Sequence, residues 1–266
     1  MGKRYPSVVG ATLDKRLAAV LVLIGPLASL AVSPIWNYDP INPIKNLLIT
    51  SAAFYVLGLL IVNVRLLKSR IPFRILLSLI LFFLALISSF LFSGAPLNQQ
   101  FWGSFGRNTG LLTYVSLLLI ATSAAFTRLE NFSKAMINAL VISSIPMTLY
   151  CLIQVAKLDP IGWSEKLPFG TFGNINFSSA FFGLTSIVSF ALIRDRRYSK
   201  VIRLSLLILV VTDLLIVVST GSIQGLMMFI AGIGLQGFIF IRERFMSFAV
   251  QFLYIVLGIF ATIITV

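Results

Sequence analysis

The sequence contains no histidine and a single cysteine, and each scarcity removes a class of function. Without histidine the usual zinc and copper sites cannot be assembled, which leaves only a magnesium ion held by carboxylates. The lone Cys151 cannot form an internal disulfide, so it does not indicate a redox compartment. We therefore predict a protein without a bound metal or cofactor.

Charge is also scarce, whereas apolar residues are in excess. Of 266 residues, 58% are hydrophobic and 11% are charged. Soluble domains are about 45–50% apolar and about 25% charged, and disordered chains are less apolar still. The net charge of +13 comes from short basic clusters between apolar runs, which is typical of membrane proteins and argues against a nucleic-acid partner.

The apolar residues fall into long runs, as transmembrane helices require. A spanning helix needs about 20 mostly apolar residues to cross about 30 Å of hydrocarbon, whereas barrel strands are shorter and alternate. We predict an all-α polytopic transmembrane bundle of about nine spans that forms one domain over residues 1–266. The runs are Leu17–Ile35, Leu47–Val64, Ile71–Phe92, Gly110–Phe126, Ala135–Ala156, Phe177–Ile193, Val201–Ser219, Ile223–Ile241 and Phe245–Val266.

The distribution of basic residues predicts the orientation. If nine spans alternate, all of the 21 basic residues except four lie on one side, and short clusters there need no explanation beyond topology. Because the basic side of a membrane protein is cytoplasmic, we place the N-terminus inside and the C-terminus outside. The four basic residues on the outer side are Lys45, Arg107, Lys157 and Lys166.

The outer connections hold the polar, aromatic and glycine-rich segments. These connections are Trp36–Asn46, Ser93–Thr109, Lys157–Asn176 and Ser219–Gly225. In the second of them, the stretch GSFGRNTG surrounds Arg107 and Asn108 with glycines that permit tight turns. A guanidinium beside backbone amides suits a phosphate or diphosphate. Charge alone favours the alternative that Arg107 binds lipid headgroups non-specifically.

The third outer connection leads directly into the sixth predicted span. Its candidate site residues are Lys166, Gly173, Asn174 and Asn176. Either asparagine can cap the helix, and Ser178 and Ser179 are expected to keep its first turn polar. The free amides and the positive dipole end would then attract an anion at the outer face. The alternative is an ordinary loop and cap.

Asp213 is the one acidic residue placed well inside a predicted span. Buried charge is costly in lipid, so such a residue usually faces a partner or a water-filled cavity. It could serve a proton or ion relay, or it could anchor an outer arginine. Since a single acid does not make a relay, we favour a hydrogen-bonded or protonated structural residue.

Three stretches of the outer face together resemble a known family. They are FWGSFGRNTGLLTY at Phe101–Tyr114, GTFGNINFSSAF at Gly170–Phe181, and STGSIQGLMMF at Ser219–Phe229. In this order they resemble the membrane core of the O-antigen ligase and polymerase superfamily of bacterial polytopic glycosyltransferases. The similarity extends from about Leu17 to the end of the chain.

The resemblance implies a protein of the bacterial inner membrane that uses no nucleotide sugar. Such proteins take a glycan from undecaprenyl diphosphate at the outer leaflet and transfer it to a hydroxyl of an acceptor lipid, glycan or protein. Ser222 and Gln224 of the third stretch then join the candidate substrate-binding residues. Hydrogen-bond donors around the diphosphate leaving group would stabilise its developing charge.

The chain departs from the family pattern at two points. The family carries an arginine after Thr-Gly-Ser, where this sequence has Ile223 and Gln224. The family also continues into a large outer loop with a histidine and into further helices, beyond the position of Val266. We expect an N-terminal portion of a longer protein, or a shortened homologue, that binds the carrier but lacks a complete catalytic apparatus. No catalytic residue is assigned.

Two other functions stay open at this point. A transporter or flippase for a lipid-linked or anionic solute would show internal repeats, broken helices and several polar residues within the membrane. The sequence has no convincing repeat, and only Asp213 is deeply placed. The other alternative is a non-catalytic scaffold in an envelope-assembly complex.

Overall fold

The computed structural model describes residues 8–33, 39–161, 163 and 165–244, and this part of the chain is helical without any β-strand. The all-α prediction is therefore confirmed. The helices in chain order are α1 (Val8–Leu30), α2 (Asn42–Val62), α3 (Val64–Lys68), α4 (Phe73–Phe92), α5 (Leu97–Trp102), α6 (Leu111–Phe126), α7 (Phe132–Val155), α8 (Ile175–Ile193), α9 (Lys200–Ser219) and α10 (Ile223–Arg244).

Six of these helices are long and apolar enough to cross a membrane, namely α2, α4, α7, α8, α9 and α10. They match six of the nine predicted runs. The fourth run forms α6, whose 16 residues extend for about 24 Å and so fall short of the hydrocarbon thickness. Residues 17–30 of the first run form the C-terminal part of α1, which begins nine residues before the run and includes the charged residues Asp14, Lys15 and Arg16. The ninth run lies outside the described residues, and the count of nine and the orientation stay predictions.

The surface of these helices is apolar, as expected of a membrane protein. Helix α4 contains no buried residue, and its Phe82 and Leu84 are each at least half exposed. Soluble proteins rarely expose apolar surface on this scale. In contrast, α8 buries a row of small polar residues and leaves Phe177 and Leu184 exposed. Small and hydroxyl side chains at helix interfaces are typical of packing within a bilayer.

Close contacts divide the chain into two compact units, residues 1–139 and residues 140–266, with the boundary inside α7. The first unit has an apolar core formed by residues of α1, α2, α3 and α6. Its members are Leu13, Leu17, Val56, Leu67 and Phe126.

A buried ion pair lies at the edge of this core. The Arg70 guanidinium donates to the two Asp14 carboxylate oxygens at 2.6 and 3.2 Å, and it also contacts the Phe126 carbonyl. The Arg128 backbone amide donates to the same carboxylate at 3.1 Å. Arg70 was expected to be a topological cation only. It proves to be a structural residue whose side chain is 8% exposed.

Helices α8, α9 and α10 form the centre of the second unit. Gly225 of α10 lies against Ser179 of α8 so closely that a Cβ atom there would approach the Ser179 carbonyl oxygen to 2.6 Å. One turn along α8, a Cβ on Gly183 would lie 3.1 Å from the Gly225 carbonyl oxygen. The two glycines let the α8 and α10 backbones meet near the start of both helices.

Two of the predicted outer connections contain additional helical residues. Helix α2 begins at Asn42, inside the predicted connection Trp36–Asn46, because the Asp39 carboxylate accepts from the Ile41 and Asn42 amides. The second outer connection also contains α5, a six-residue helix. Pro96 precedes it in an extended conformation, which fits proline immediately before a first helical turn.

Candidate functional site

The start of α8 has the predicted cap. Asn174 is the N-cap residue, and its Oδ1 accepts from the Asn176 amide at 2.8 Å. Gly173 has a φ of +71° immediately before it, a left-handed conformation that favours glycine. Gly173, Asn174 and Asn176 are all exposed at this helix end. Asparagine capping is thus confirmed, with Asn174 in that role.

Asn176 connects the start of α8 to the turn between α9 and α10. The Ser222 hydroxyl donates to Asn176 Oδ1 at 2.8 Å, and the Ser179 and Ser222 hydroxyls also lie 2.8 Å apart. We call Asn176, Ser179 and Ser222 the serine–asparagine junction. It joins the GTFGNIN and STGSIQG stretches, which are more than forty residues apart in the chain. Gln224 is exposed on the first turn of α10.

The first turn of α8 is polar, as predicted, and its two serines make hydrogen bonds within the protein. Ser178 and Ser179 are completely buried. The Ser178 hydroxyl donates to the Phe169 carbonyl, and Ser179 points to Ser222. The two serines therefore hold the loop and the α9–α10 turn in place, and the exposed polar groups are those of Asn174 and Asn176.

A network that the sequence analysis missed organises the loop before α8. The Asp159 carboxylate accepts from Tyr150 Oη at 2.9 Å and from Gln154 Nε2 at 3.0 Å. Gln154 Oε1 accepts from the Phe169 and Gly170 amides at 3.0 and 2.8 Å. Tyr150 and Gln154 are one helical turn apart on α7. This spacing of Tyr150 and Gln154, followed by an Asp-Pro pair, is the sequence feature from which the network could have been predicted.

Lys166 belongs to this loop rather than to the serine–asparagine junction. It is exposed and lines a cavity of about 500 Å³ together with Lys157, Asp159 and Trp163. The Trp163 indole donates to Tyr150 Oη at 2.9 Å. Two cations and two carboxylates share this cavity, since Glu165 also lines it. The cavity is consequently less suited to a strongly anionic group than Lys166 alone would be.

Arg107 and Asn108 lie in the first unit, on the loop that follows α5. Arg107 is exposed, and its guanidinium has no hydrogen-bond partner among the residues that the structure describes. Asn108 has a φ of +51°, and its carbonyl accepts from the Thr113 hydroxyl at 2.5 Å. The Asn42 side chain donates to the Gly106 carbonyl at 2.6 Å. Contacts to α2 and α6 hold the loop in place, and the Arg107 guanidinium takes no part in them.

The same loop borders a cavity of about 460 Å³ whose uncharged lining combines apolar side chains with polar ones. Among the groups that face it are Gln99, Gln100, Ser104 and Tyr114, none of which the sequence analysis singled out. The Gln100 side-chain oxygen is buried without a hydrogen-bond partner in the described part of the chain. Amide and hydroxyl groups around a cavity of this size suit a neutral polar group such as a sugar.

Asp213 lies in the interior of the second unit and is completely buried. Thr148 of α7 donates to Asp213 Oδ1 at 2.6 Å, whereas Thr185 and Ser186 of α8 lie 3.3 and 3.5 Å from Oδ2. The predicted hydrogen-bonded environment is confirmed. The anchoring of an outer arginine is not observed, because the described residues contain no ion pair to Asp213.

The chemistry available at the start of α8 is anion binding. Free amides at the helix N-terminus, the positive end of the helix dipole and the two exposed asparagine side chains all stabilise negative charge. Within the described ranges, no group of three or more histidine, cysteine or acidic side chains is placed to hold a metal ion.

The chain matches no protein-family model, no curated protein and no solved structure.

Proposed function

We propose that this membrane protein binds an undecaprenyl-diphosphate-linked glycan at the outer leaflet of the bacterial inner membrane and acts in the manner of the O-antigen ligases and polymerases. The observation that carries the proposal is the serine–asparagine junction. It joins two of the three stretches on which the resemblance rests, through the 2.8 Å hydrogen bond from Ser222 to Asn176. Two stretches that meet in space can contribute to one binding site.

In this proposal the start of α8 receives the diphosphate. The exposed Asn174 and Asn176 supply side-chain amides, and the helix N-terminus supplies backbone amides and a positive dipole end. Because the diphosphate is the leaving group, the same donors stabilise the charge that develops on it. The acceptor hydroxyl attacks the anomeric carbon, and the base that activates it is unassigned in a sequence without histidine.

This function requires the predicted membrane topology. Nine spans with a cytoplasmic N-terminus bring Arg107, Asn174 and Ser222 to the outer face, where the carrier presents its glycan. Arg107 is a separate part of the proposal. Its exposed guanidinium is suited to bidentate contact with a phosphate, and its role is tested independently of α8.

The test is direct binding of undecaprenyl-diphosphate glycan to the purified chain in lipid nanodiscs. We expect Asn176→Ala to weaken binding about tenfold, the effect of losing about 1.4 kcal/mol of charge-assisted hydrogen bonding. Asn98→Ala is the matched control, since Asn98 is an exposed asparagine on α5. Binding that is equally strong in the wild type and in Asn176→Ala would remove the start of α8 from the site.

Glycosyl transfer is measured in the same sample with a hydroxyl-bearing acceptor. Binding without transfer would agree with the expectation that the catalytic apparatus is incomplete. The absence of both binding and transfer would refute the proposal as a whole.

A transporter of a lipid-linked or anionic solute is the second candidate, and the observation that favours it is the buried Asp213. Carboxylates inside the membrane commonly serve ion-coupled transport. Vesicles that carry the protein distinguish the two functions. Uptake of solute or scrambling of lipid without glycan binding would favour transport.

A further inference from the structure

Asp213 of α9 is surrounded by hydroxyl groups from two neighbouring helices, α7 and α8, and it has no basic partner among the described residues. We call Asp213, Thr148, Thr185 and Ser186 the Asp213 cluster; all four side chains are buried. Thr148 comes from α7 and the other two hydroxyls from α8, at 2.6, 3.3 and 3.5 Å from the carboxylate oxygens. No lysine or arginine in the described ranges forms an ion pair with Asp213.

The position of Asp213 makes this absence significant. It lies 13 residues after the start of α9 and six before its end, which puts it about 20 Å and about 9 Å from the two ends of a membrane-spanning helix. A carboxylate in such a place is unfavourable unless a positive charge accompanies it. The three hydroxyl groups supply dipoles but no charge.

The distances on the α8 side are long for hydrogen bonds. O–H···O bonds are about 2.5–3.0 Å long, and only the bond from Thr148 falls in that range. Separations of 3.3 and 3.5 Å instead match neighbouring oxygens around a hard cation, since metal–oxygen distances of about 2.4 Å at right angles put the oxygens about 3.4 Å apart. The Thr185 hydroxyl also contacts the Phe182 carbonyl at 3.2 Å, an acceptor that leaves its lone pairs free for a cation.

A further oxygen lies one turn along the same face of α8. Ser189 is completely buried, and its hydroxyl has no hydrogen-bond partner in the described part of the chain. A serine within a helix ordinarily donates to the carbonyl one turn before it, as Ser144 does on α7. An unpartnered buried hydroxyl next to Thr185 and Ser186 is an additional possible ligand.

We propose that the Asp213 cluster is a binding site for one hard monovalent cation of the sodium type. The ligands are all oxygens, which select hard cations. A single carboxylate neutralises a single positive charge, whereas calcium sites use several carboxylates and magnesium retains several waters. The bound ion would link α7, α8 and α9. The inference is independent of glycan binding and stands whichever of the two functions applies.

The test measures the melting temperature of the purified protein in detergent while sodium chloride replaces choline chloride at constant ionic strength. We expect a saturable rise with sodium, since a ligand of the folded state stabilises it by mass action, and a much weaker response to potassium. Thr185→Val, which keeps the shape and removes one of the two oxygens at cation-type distances from the carboxylate, should raise the apparent sodium dissociation constant about tenfold or more. Asp213→Asn should abolish the saturable response.

Thr212→Val is the matched control, because its hydroxyl donates to the Ile208 carbonyl of its own helix, outside the cluster; it should leave the sodium response unchanged. Binding of radioactive sodium to the wild-type chain gives a second measurement if Asp213→Asn does not fold. A melting temperature that does not change with sodium but changes with pH would identify a protonated carboxylic acid and overturn the proposal. The proposal would also be overturned if Asp213→Asn kept the sodium response, or if Thr185→Val altered it no more than the control Thr212→Val does.

Discussion

The two units differ in how many polar side chains they bury, and the second unit buries more. The first unit has an aliphatic and aromatic core, with Leu17 and Val56 completely buried and one ion pair at its edge. The second unit also buries apolar side chains such as Phe182 and Met147, but it adds a group of buried hydroxyls around Asp213. In a bilayer, apolar side chains gain little by leaving lipid for protein. Buried polar side chains in a membrane protein therefore serve either helix packing or the binding of a ligand, and most of them lie in the second unit.

The largest expected effect is on the first unit. Arg70→Ala leaves the buried Asp14 carboxylate without its partner, and breaking a buried pair on one side costs about 3–5 kcal/mol. We expect the detergent-solubilised protein to unfold at a clearly lower fraction of added dodecyl sulfate. The double variant Asp14→Leu with Arg70→Met, which removes both charges, should recover most of the loss. Equal instability in the single and double variants would show that the charges themselves are needed.

The close approach of α8 and α10 gives the next effect. Gly225→Val introduces side-chain atoms where a Cβ alone would approach the Ser179 carbonyl oxygen to 2.6 Å. Overpacking of this kind costs about 1–3 kcal/mol. Gly234→Val is the control, because a Cβ at Gly234 has no neighbour within 4 Å. Similar stability in the two variants would contradict the described contact.

The serine–asparagine junction should contribute less to stability than to binding. Ser222→Ala removes the hydroxyl that donates to Asn176 and should lower the free energy of unfolding by about 1 kcal/mol. The resulting displacement of Asn176 should also weaken the binding of undecaprenyl-diphosphate glycan. A loss of stability without any loss of affinity would limit the junction to a structural role.

The smallest effect on stability is expected at Arg107, which is exposed and has no partner for its guanidinium in the described ranges. Arg107→Ala should change the free energy of unfolding by no more than about 0.5 kcal/mol. It should nevertheless weaken carrier binding, and Arg107→Lys should restore it only in part because the bidentate fork is lost. Arg196→Ala, at another exposed arginine, is the charge control. Unchanged affinity in both Arg107 variants would remove Arg107 from the site.

Local sequence patterns predicted much of the fold. Apolar runs marked the six candidate spans to within a few residues at most ends, because helix length and hydrophobicity are properties of a continuous segment. The cap at Asn174 was also predictable, since an asparagine before an apolar run has a defined local role. The start of α2 was predicted five residues late because Asn42–Asn46 contains polar residues, yet the Asp39 carboxylate accepts from the Asn42 amide at the start of the helix.

Contacts between residues that are distant in the chain could not be predicted from the sequence. The bonds from Arg70 to Asp14 and from Thr148 to Asp213 join residues 56 and 65 positions apart. The junction from Ser222 to Asn176 is of the same kind. A single sequence carries no periodic signal for such pairs. The resemblance gave the order of the two stretches along the chain. Their contact in space is seen only in the folded structure.

The proposed function requires that the connections with glycine and asparagine lie on the outer face, and cysteine labelling tests this most directly. In a Cys151→Ser background, Arg107→Cys and Asn174→Cys are treated in whole cells with a membrane-impermeant maleimide, with Arg197→Cys as the cytoplasmic control. We predict that positions 107 and 174 react from outside and that position 197 reacts only after permeabilisation. If positions 107 and 174 reacted only from the cytosol, the predicted topology and the proposed function would both be contradicted.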